Sequence, residues 1–271
     1  MSEPGHDLRY DVNLSVLFTE LPLLRRPAAA RALGFDAVEF WWPFTRAAPG
    51  DREVTEFARA ANDAGVTLVG LNFFAGDMAG GDRGLLSWAG RESEFADSVD
   101  IAIGLGEQLG CRCFNALYGN RIEGTTPSTQ DDLALANLDL AATAAARIGA
   151  RVVLEPLSGA PRYPLRTVAD ALAVVDKAGR DNVFLLADLY HLAVNSDDLD
   201  ALAAEHGSRI GHVQIADAPG RNEPGTGSLD IHRHLAALEA AGYRGFVGLE
   251  YKPSGPSSES FGWLSHERRG L

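Results

Sequence analysis

The sequence predicts an α/β protein folded as a single (β/α)8 TIM barrel over residues 1–271, with short extensions at both ends. Three observations predict it. Short apolar runs of strand character alternate with Ala/Leu-rich helical stretches along the chain, and repeated β-then-α units imply a parallel sheet. Most of these runs are continuous, as strands buried on both faces are. Eight such units in 271 residues suit a closed barrel. An open sheet usually carries a Gly-rich dinucleotide turn after its first strand, and Ser15 to Thr19 contains no glycine.

The elements follow in order. Residues 12–17 alternate with period two, then Leu and Ala recur at helical spacing over 21–33 until Gly34. A second strand is expected over 37–41 and a helix over 52–64, closed by Gly65. The third strand, 67–72, leads through a Gly-rich loop (76–90) to a long helix over 92–109. That loop lacks the Gly-Lys-Ser/Thr ending of a phosphate loop and reads as an active-site cover. A fourth strand is expected over 112–118 and its helix over 129–148. The second half repeats with cleaner strands: 151–155, 183–188, 210–215 and 245–250. Helices are expected over 167–178, near 198–206 and over 231–241, with a short tail after the last strand.

Composition bounds the function. Hydrophobic residues at 46% and charged residues at 23% are ordinary for a globular chain. No apolar run reaches the roughly 18 residues of a membrane span, and the first residues show no leader-like apolar stretch, so a cytoplasmic location without membrane contact is expected. A net charge of −13 repels phosphate backbones and argues against a nucleic-acid partner. The two cysteines, Cys111 and Cys113, are too few for a zinc site and too close for a disulfide; they read as strand or core thiols.

Catalytic groups of a barrel sit at the C-terminal ends of its strands. The last four strands end in Glu155, Asp188, Gln214 and Glu250. A carboxylate closing an apolar run is costly unless something uses its charge. Four oxygen donors suit a divalent cation, Mg2+ or Mn2+, better than a thiolate- or imidazole-seeking metal. Glu155 and Glu250 lie on different strands and form a candidate acid/base pair. Such a pair can take a proton from one carbon and return one to its neighbour while the metal stabilises an enediolate. That is the chemistry of an aldose–ketose type isomerase.

Other polar residues gather nearby. His191 lies three residues beyond Asp188, and Arg221 and Glu223 stand in a charged Gly/Pro-rich loop over 217–230; all three are candidates for substrate binding. Lys252 follows Glu250 and is a candidate partner for a substrate carboxylate, with Arg221 or Arg83 as further cations. His212, two residues before Gln214, reads as a core or supporting histidine rather than a ligand. Trp41, Trp42 and Phe44 are either a wall of the pocket or ordinary packing.

With these residues assembled, the chain resembles the hydroxypyruvate isomerase family, which includes 2-oxo-tetronate isomerases, within the xylose-isomerase-like TIM barrel superfamily. The resemblance runs over essentially the whole chain: residues 13–15, 34–40, 76–92, 154–156, 188–191, 211–217, 223–227 and 248–253. It implies that Glu155 and Glu250 are the proton donor/acceptor pair, and that Glu155, Asp188, Gln214 and Glu250 surround the metal. It further implies a small anionic 2-oxo acid as substrate, hydroxypyruvate or a 2-oxo-tetronate one carbon longer. The 157–164 segment is closer to the tetronate branch, whereas 188–191 and 223–227 are closer to the hydroxypyruvate branch. Rival readings are a ketose 3-epimerase, which normally has histidine where Gln214 stands, and a non-catalytic metal-dependent binding protein. An apurinic-site endonuclease would need a histidine-rich zinc cluster and a basic groove, which seven scattered histidines and a charge of −13 do not offer. Self-association into a homo-oligomer is left open.

Overall fold

The computed structural model describes residues 5–270. Eight parallel strands close into one barrel in sequence order. They are β1 (Arg9–Asn13), β2 (Ala37–Phe40), β3 (Thr67–Asn72), β4 (Cys113–Asn115), β5 (Arg151–Leu154), β6 (Val183–Asp188), β7 (Ile210–Ile215) and β8 (Phe246–Leu249). β8 pairs back onto β1, with Asp11 opposite Gly248. The helices are α1 (Arg26–Ala32), α2 (Asp51–Ala64), α3 (Glu92–Leu109), α4 (Pro127–Ala146), α5 (Val168–Ala178), α6 (Leu189–Val194), α7 (Leu199–His206) and α8 (Ile231–Ala240). The expected (β/α)8 architecture is what the chain adopts. Residues 1–4 of the expected N-terminal extension and Leu271 lie outside the described residues.

Local chemistry sets the boundaries. Thr126, Thr167, Asp188, Asp198 and Asp230 accept backbone N–H bonds at the starts of α4 to α8, satisfying donors that a helix start leaves free. Gly65, Gly110 and Gly179 end α2, α3 and α5 in the left-handed conformation, which costs glycine little. Gly84 is required for a further reason: its φ is +108°, and a Cβ there would lie 1.9 Å from the Leu117 carbonyl oxygen. This close approach docks the β3–α3 loop on the segment after β4. The Gly119 N–H to Arg83 carbonyl bond (3.0 Å) holds it there, and the Gly84 N–H to Ala75 carbonyl bond (2.9 Å) closes the loop on itself.

Four readings need correction. The first strand is Arg9–Asn13, not 12–17. Asn13 Oδ1 accepts the Ser15 N–H at 3.0 Å and folds the chain into a turn, so the apolar residues at 14, 16 and 17 do not extend the strand. The first helix starts late, at Arg26 with Pro27 in its first turn, because Pro22 and Pro27 limit where a helix can begin. β4 ends at Asn115 rather than 118: the Asn115 carbonyl still accepts the Phe73 N–H and the Ala116 N–H donates to the Val153 carbonyl, but Tyr118 turns away and its hydroxyl donates to Asp131 at 2.5 Å. The short α6 directly after β6 was not expected at all.

The main core lies between the barrel and its helices, with Phe40 against Phe57 (5.0 Å between ring centroids) and Phe73 stacked on Phe114 (5.5 Å). After β8, among the described residues, no α-helix follows. The 251–270 tail instead packs Phe261 against Phe18 and Phe35, and Trp263 against Tyr10. Inside the barrel, a separate small cluster of Cys113, Val153 and Leu186 fills one side. The β1–β2–β7 side is polar instead. No helix among the described residues is long and apolar enough to cross a membrane.

Candidate functional site

The inward residues at the C-terminal ends of the strands are Asn13, Trp41, Asn72, Asn115, Glu155, Asp188, Gln214 and Glu250, seven of them polar and buried and Trp41 half-buried. Asp188 and Gln214 are direct partners across β6 and β7. Gln214 Nε2 donates to Glu250 Oε2 at 2.6 Å. The Arg221 guanidinium joins Glu250 (Nη2 to Oε1, 2.6 Å) to Asp188 (3.6 Å to Oδ2). His191 Nε2 stands 3.6 Å from Asp188 Oδ2 and 3.9 Å from Glu155 Oε1. The four strand-end residues singled out in the sequence therefore converge on one mouth of the barrel.

Each is held by its neighbours. Asp188 caps α6 through Oδ1, which accepts the Tyr190 N–H at 2.9 Å, leaving Oδ2 buried without a hydrogen-bond donor. Glu155 Oε2 accepts from Asn115 Nδ2 at 2.7 Å. Glu250 Oε2 accepts from Asn13 Nδ2 (2.8 Å) and Trp41 Nε1 (3.3 Å) as well as from Gln214. Trp41 is thus a wall of the site, whereas Trp42 and Phe44 pack on each other and on Phe74 and Phe57. Sequence reading passed over Asn13, Glu39 and Asn115 as site residues. The available signal was a polar side chain on the inward face of a strand.

His191 has a defined tautomer. The Ser158 backbone N–H, which can only donate, points at Nδ1 from 3.0 Å, so Nδ1 accepts and the hydrogen sits on Nε2. Burial pulls the imidazole down to about 4, against the nearby Asp188 charge and with Arg221 and Arg83 adding to the fall. His191 therefore presents a neutral N–H donor to the mouth, not a lone pair to a metal. Arg221 adopts a left-handed φ of +57° and lies over the Tyr190 ring at 5.3 Å. Glu250, Asp188 and Glu155 together outweigh burial and keep its guanidinium charged.

Two other candidates stand elsewhere. Lys252 is exposed; its backbone N–H donates to the Arg221 carbonyl at 2.7 Å, so it braces the arginine loop. β8 ends at Leu249, and the strand alternation that would have aimed Lys252 with Glu250 stops there. Glu223 accepts the Ser254 N–H at 3.0 Å and ties the same loop to the tail. Beneath the mouth, His212 Nε2 and Glu39 Oε2 are 2.7 Å apart, the supporting position expected of that histidine. Asp11 lies beside them, fully buried, and burial with the Glu39 and Glu250 charges raises its carboxyl well above the usual range.

Burial and the Asp188 charge push Glu155 up from 4.5 to about 8, with Asn115 opposing. Burial likewise raises Glu250, against the pull of Arg221. A carboxyl raised on folding supports the folded state while protonated and withdraws that support as pH rises. In metal-free protein, stability relative to a Glu155→Gln variant should therefore fall between about pH 4.5 and about pH 8. Thermal melts across that window check it; parallel curves for the two proteins would show that Glu155 does not titrate there.

Could the site hold a divalent cation? Asp188 Oδ2 and Gln214 Oε1 are buried acceptors without donors, beside two more carboxylates. Orphaned oxygens of this kind are expensive unless a cation uses them. The donor set fits. Among the described residues, the groups of carboxylates and histidines tight enough for a metal are Glu155–Asp188–His191 and Asp11–Glu39–His212, neither with more than one histidine.

A parallel eight-stranded barrel with an acid-lined mouth fits the xylose isomerase-like TIM barrel class. The profile of that family matches residues 27–266, and the chain belongs to it. Within it the chain belongs to the hydroxypyruvate isomerase family and is an isomerase, as its relatives are named. It is 53% identical to a Streptomyces coelicolor protein provisionally named a hydroxypyruvate isomerase, over 95% of this chain and 96% of that one. It is 34% identical to the Escherichia coli hydroxypyruvate isomerase, over 96% and 100%. It is 32% identical to a Haemophilus influenzae 2-oxo-tetronate isomerase, over 94% and 98%. A solved Brucella melitensis structure described as an AP endonuclease of family 2 superposes with a TM-score of 0.86, at 36% identity over 95% and 98% of the chains.

Proposed function

We propose that this isomerase interconverts hydroxypyruvate and tartronate semialdehyde, or a 2-oxo-tetronate and its 3-oxo isomer, with Mg2+ or Mn2+ held by Glu155, Asp188, Gln214 and Glu250. The carrying observation is the meeting of two buried glutamates from β5 and β8 around the unpaired oxygens of Asp188 and Gln214. When bound, the cation supplies positive charge that stabilises an enediolate spread over two adjacent substrate oxygens.

One glutamate takes the proton from the hydroxymethyl carbon; the C–H electron pair becomes the carbon–carbon double bond of the enediolate, and the carbonyl π pair moves onto its oxygen. The double-bond pair then takes a proton from the other glutamate at the former carbonyl carbon, the terminal hydroxyl's proton passes to the oxygen on that carbon, and the O–H pair left behind closes the aldehyde C=O. His191 Nε2–H donates to one of the two oxygens and steadies the charge passing between them. Arg221 answers the substrate carboxylate. Arg83 joins it from the β3–α3 loop, where it donates to the Met78 and Asp82 carbonyls and its charge reaches His191. The net charge of −13 supports a reaction without nucleic acid.

A panel of three- to six-carbon 2-oxo acids and neutral ketoses, assayed with Mg2+ or Mn2+, tests this reading. Turnover of a 2-oxo acid is expected. Better turnover of neutral ketoses would favour a 3-epimerase, and metal-dependent binding without turnover would leave a non-catalytic binding protein. Arg83→Met is expected to raise KM for the 2-oxo acid more than for any ketose, because only the acid loses an ion pair. Lys252→Met should leave KM within about twofold, as expected for an exposed, screened charge.

A further inference from the structure

We infer that Glu39, on β2, is a positioning residue that fixes which end of the Gln214 carboxamide faces the metal position; the inference rests on the metal site proposed above. A carboxamide has one donor end and one acceptor end of nearly equal size, so only its partners decide its orientation. Gln214 Nε2 donates to Glu39 Oε1 at 2.7 Å and to Glu250 Oε2 at 2.6 Å, which uses both of its hydrogens. Gln214 Oε1 is left buried and without a donor, on the strand position paired with Asp188, whose Oδ2 is also orphaned. The reverse orientation would set the amide oxygen against two carboxylates and turn two N–H groups toward the cation.

Glu250 is a poor guarantor of this orientation, because the proposed chemistry makes it gain and lose protons. Glu39 is better placed. Its Oε1 also accepts from Asn13 Nδ2 at 3.0 Å, and its Oε2 pairs with His212 Nε2 at 2.7 Å. The barrel makes room for it with glycines: a Cβ at Gly70 would lie 2.9 Å from Oε2, and one at Gly248 2.6 Å from Oε1. β2 and β3 shift register at Val38/Glu39, where Glu39 comes opposite Gly70. Glu39 lies one layer below the mouth and acts through Gln214, not on substrate.

The test is Mn2+ binding to the purified full chain without substrate, read from the electron paramagnetic resonance of free Mn2+. Removing a residue that orients a metal ligand typically costs about 10–100-fold in affinity, and Glu39→Met, of similar length and without an acceptor, should weaken Mn2+ binding within that range. In a Gln214→Glu background, where both ends of the side chain are oxygens, Glu39→Met should weaken nothing. Glu39→Leu, likewise without an acceptor, should repeat both results if the methionine variant does not fold. Equal weakening in both backgrounds would overturn the inference, since a simple loss of negative charge does not depend on residue 214. So would wild-type affinity in Glu39→Met. Two Mn2+ per chain, one lost on substitution, would also overturn it by placing an ion at Asp11–Glu39–His212. Wild-type protein that binds no Mn2+ would remove the metal reading itself, a failure seen before any variant is made.

Discussion

Glu155→Gln and Glu250→Gln are each expected to cut kcat by roughly 10²–10⁴-fold, about 3–5 kcal/mol of barrier, with the barrel still folded. Glutamine keeps the shape of the side chain and removes the proton-transferring oxygen. Glu155 is the cleaner test. One side-chain donor, Asn115 Nδ2, engages it, and a glutamine can turn its carbonyl to that donor unchanged. Glu250 accepts from Asn13, Trp41, Gln214 and Arg221, so its replacement disturbs more of the site and should lower the melting temperature further. Both substitutions also remove charge from the proposed metal position. Mn2+ content measured with the rate separates the effects: a variant that stays loaded and still loses turnover has lost its acid or base. Either variant retaining more than about half of wild-type activity would exclude that residue from proton transfer.

Stripping the metal should abolish turnover, and Mg2+ or Mn2+ should restore it. The ligand set consists of oxygen donors, and hard cations prefer it. Burial leaves Glu155 protonated near neutrality in the metal-free state, so a cation must displace that proton to bind. Affinity should accordingly rise with pH through about 8. Calorimetry in buffers of different ionisation enthalpy checks this through the protons released. Full activity after exhaustive chelation would leave Arg221 and His191 to stabilise the enediolate and would remove the metal from the mechanism.

The barrel was legible because buried parallel strands must be apolar, and its order of elements followed from that. The four strand-end residues were legible for the converse reason: Glu155, Asp188, Gln214 and Glu250 each interrupt an apolar run where a charge or amide needs a purpose. The failures have equally physical causes. Asn13 looked like the polar member of an alternating strand, but its side chain ends that strand and ties β1 to Glu39 and Glu250. Glu39 sits in a run otherwise apolar from Ala37 to Trp41, and nothing local shows that Gly70 and Gly248, far away in sequence, leave space for it. Lys252 was placed near the site because it follows Glu250, but β8 ends at Leu249 and the side chain is exposed. Arg221 illustrates the reverse: no periodicity places a loop residue, and a left-handed backbone at that position carries its side chain over Tyr190 to Glu250.

The central claim is that two glutamates move protons between neighbouring carbons of a small 2-oxo acid. Proton nuclear magnetic resonance of hydroxypyruvate turned over with Mg2+ in deuterium oxide tests it most directly. The account predicts tartronate semialdehyde carrying deuterium at the newly protonated carbon, formed faster than without enzyme and lost in Glu155→Gln. A product that keeps protium at that carbon, as an internal hydride shift would give, would contradict it.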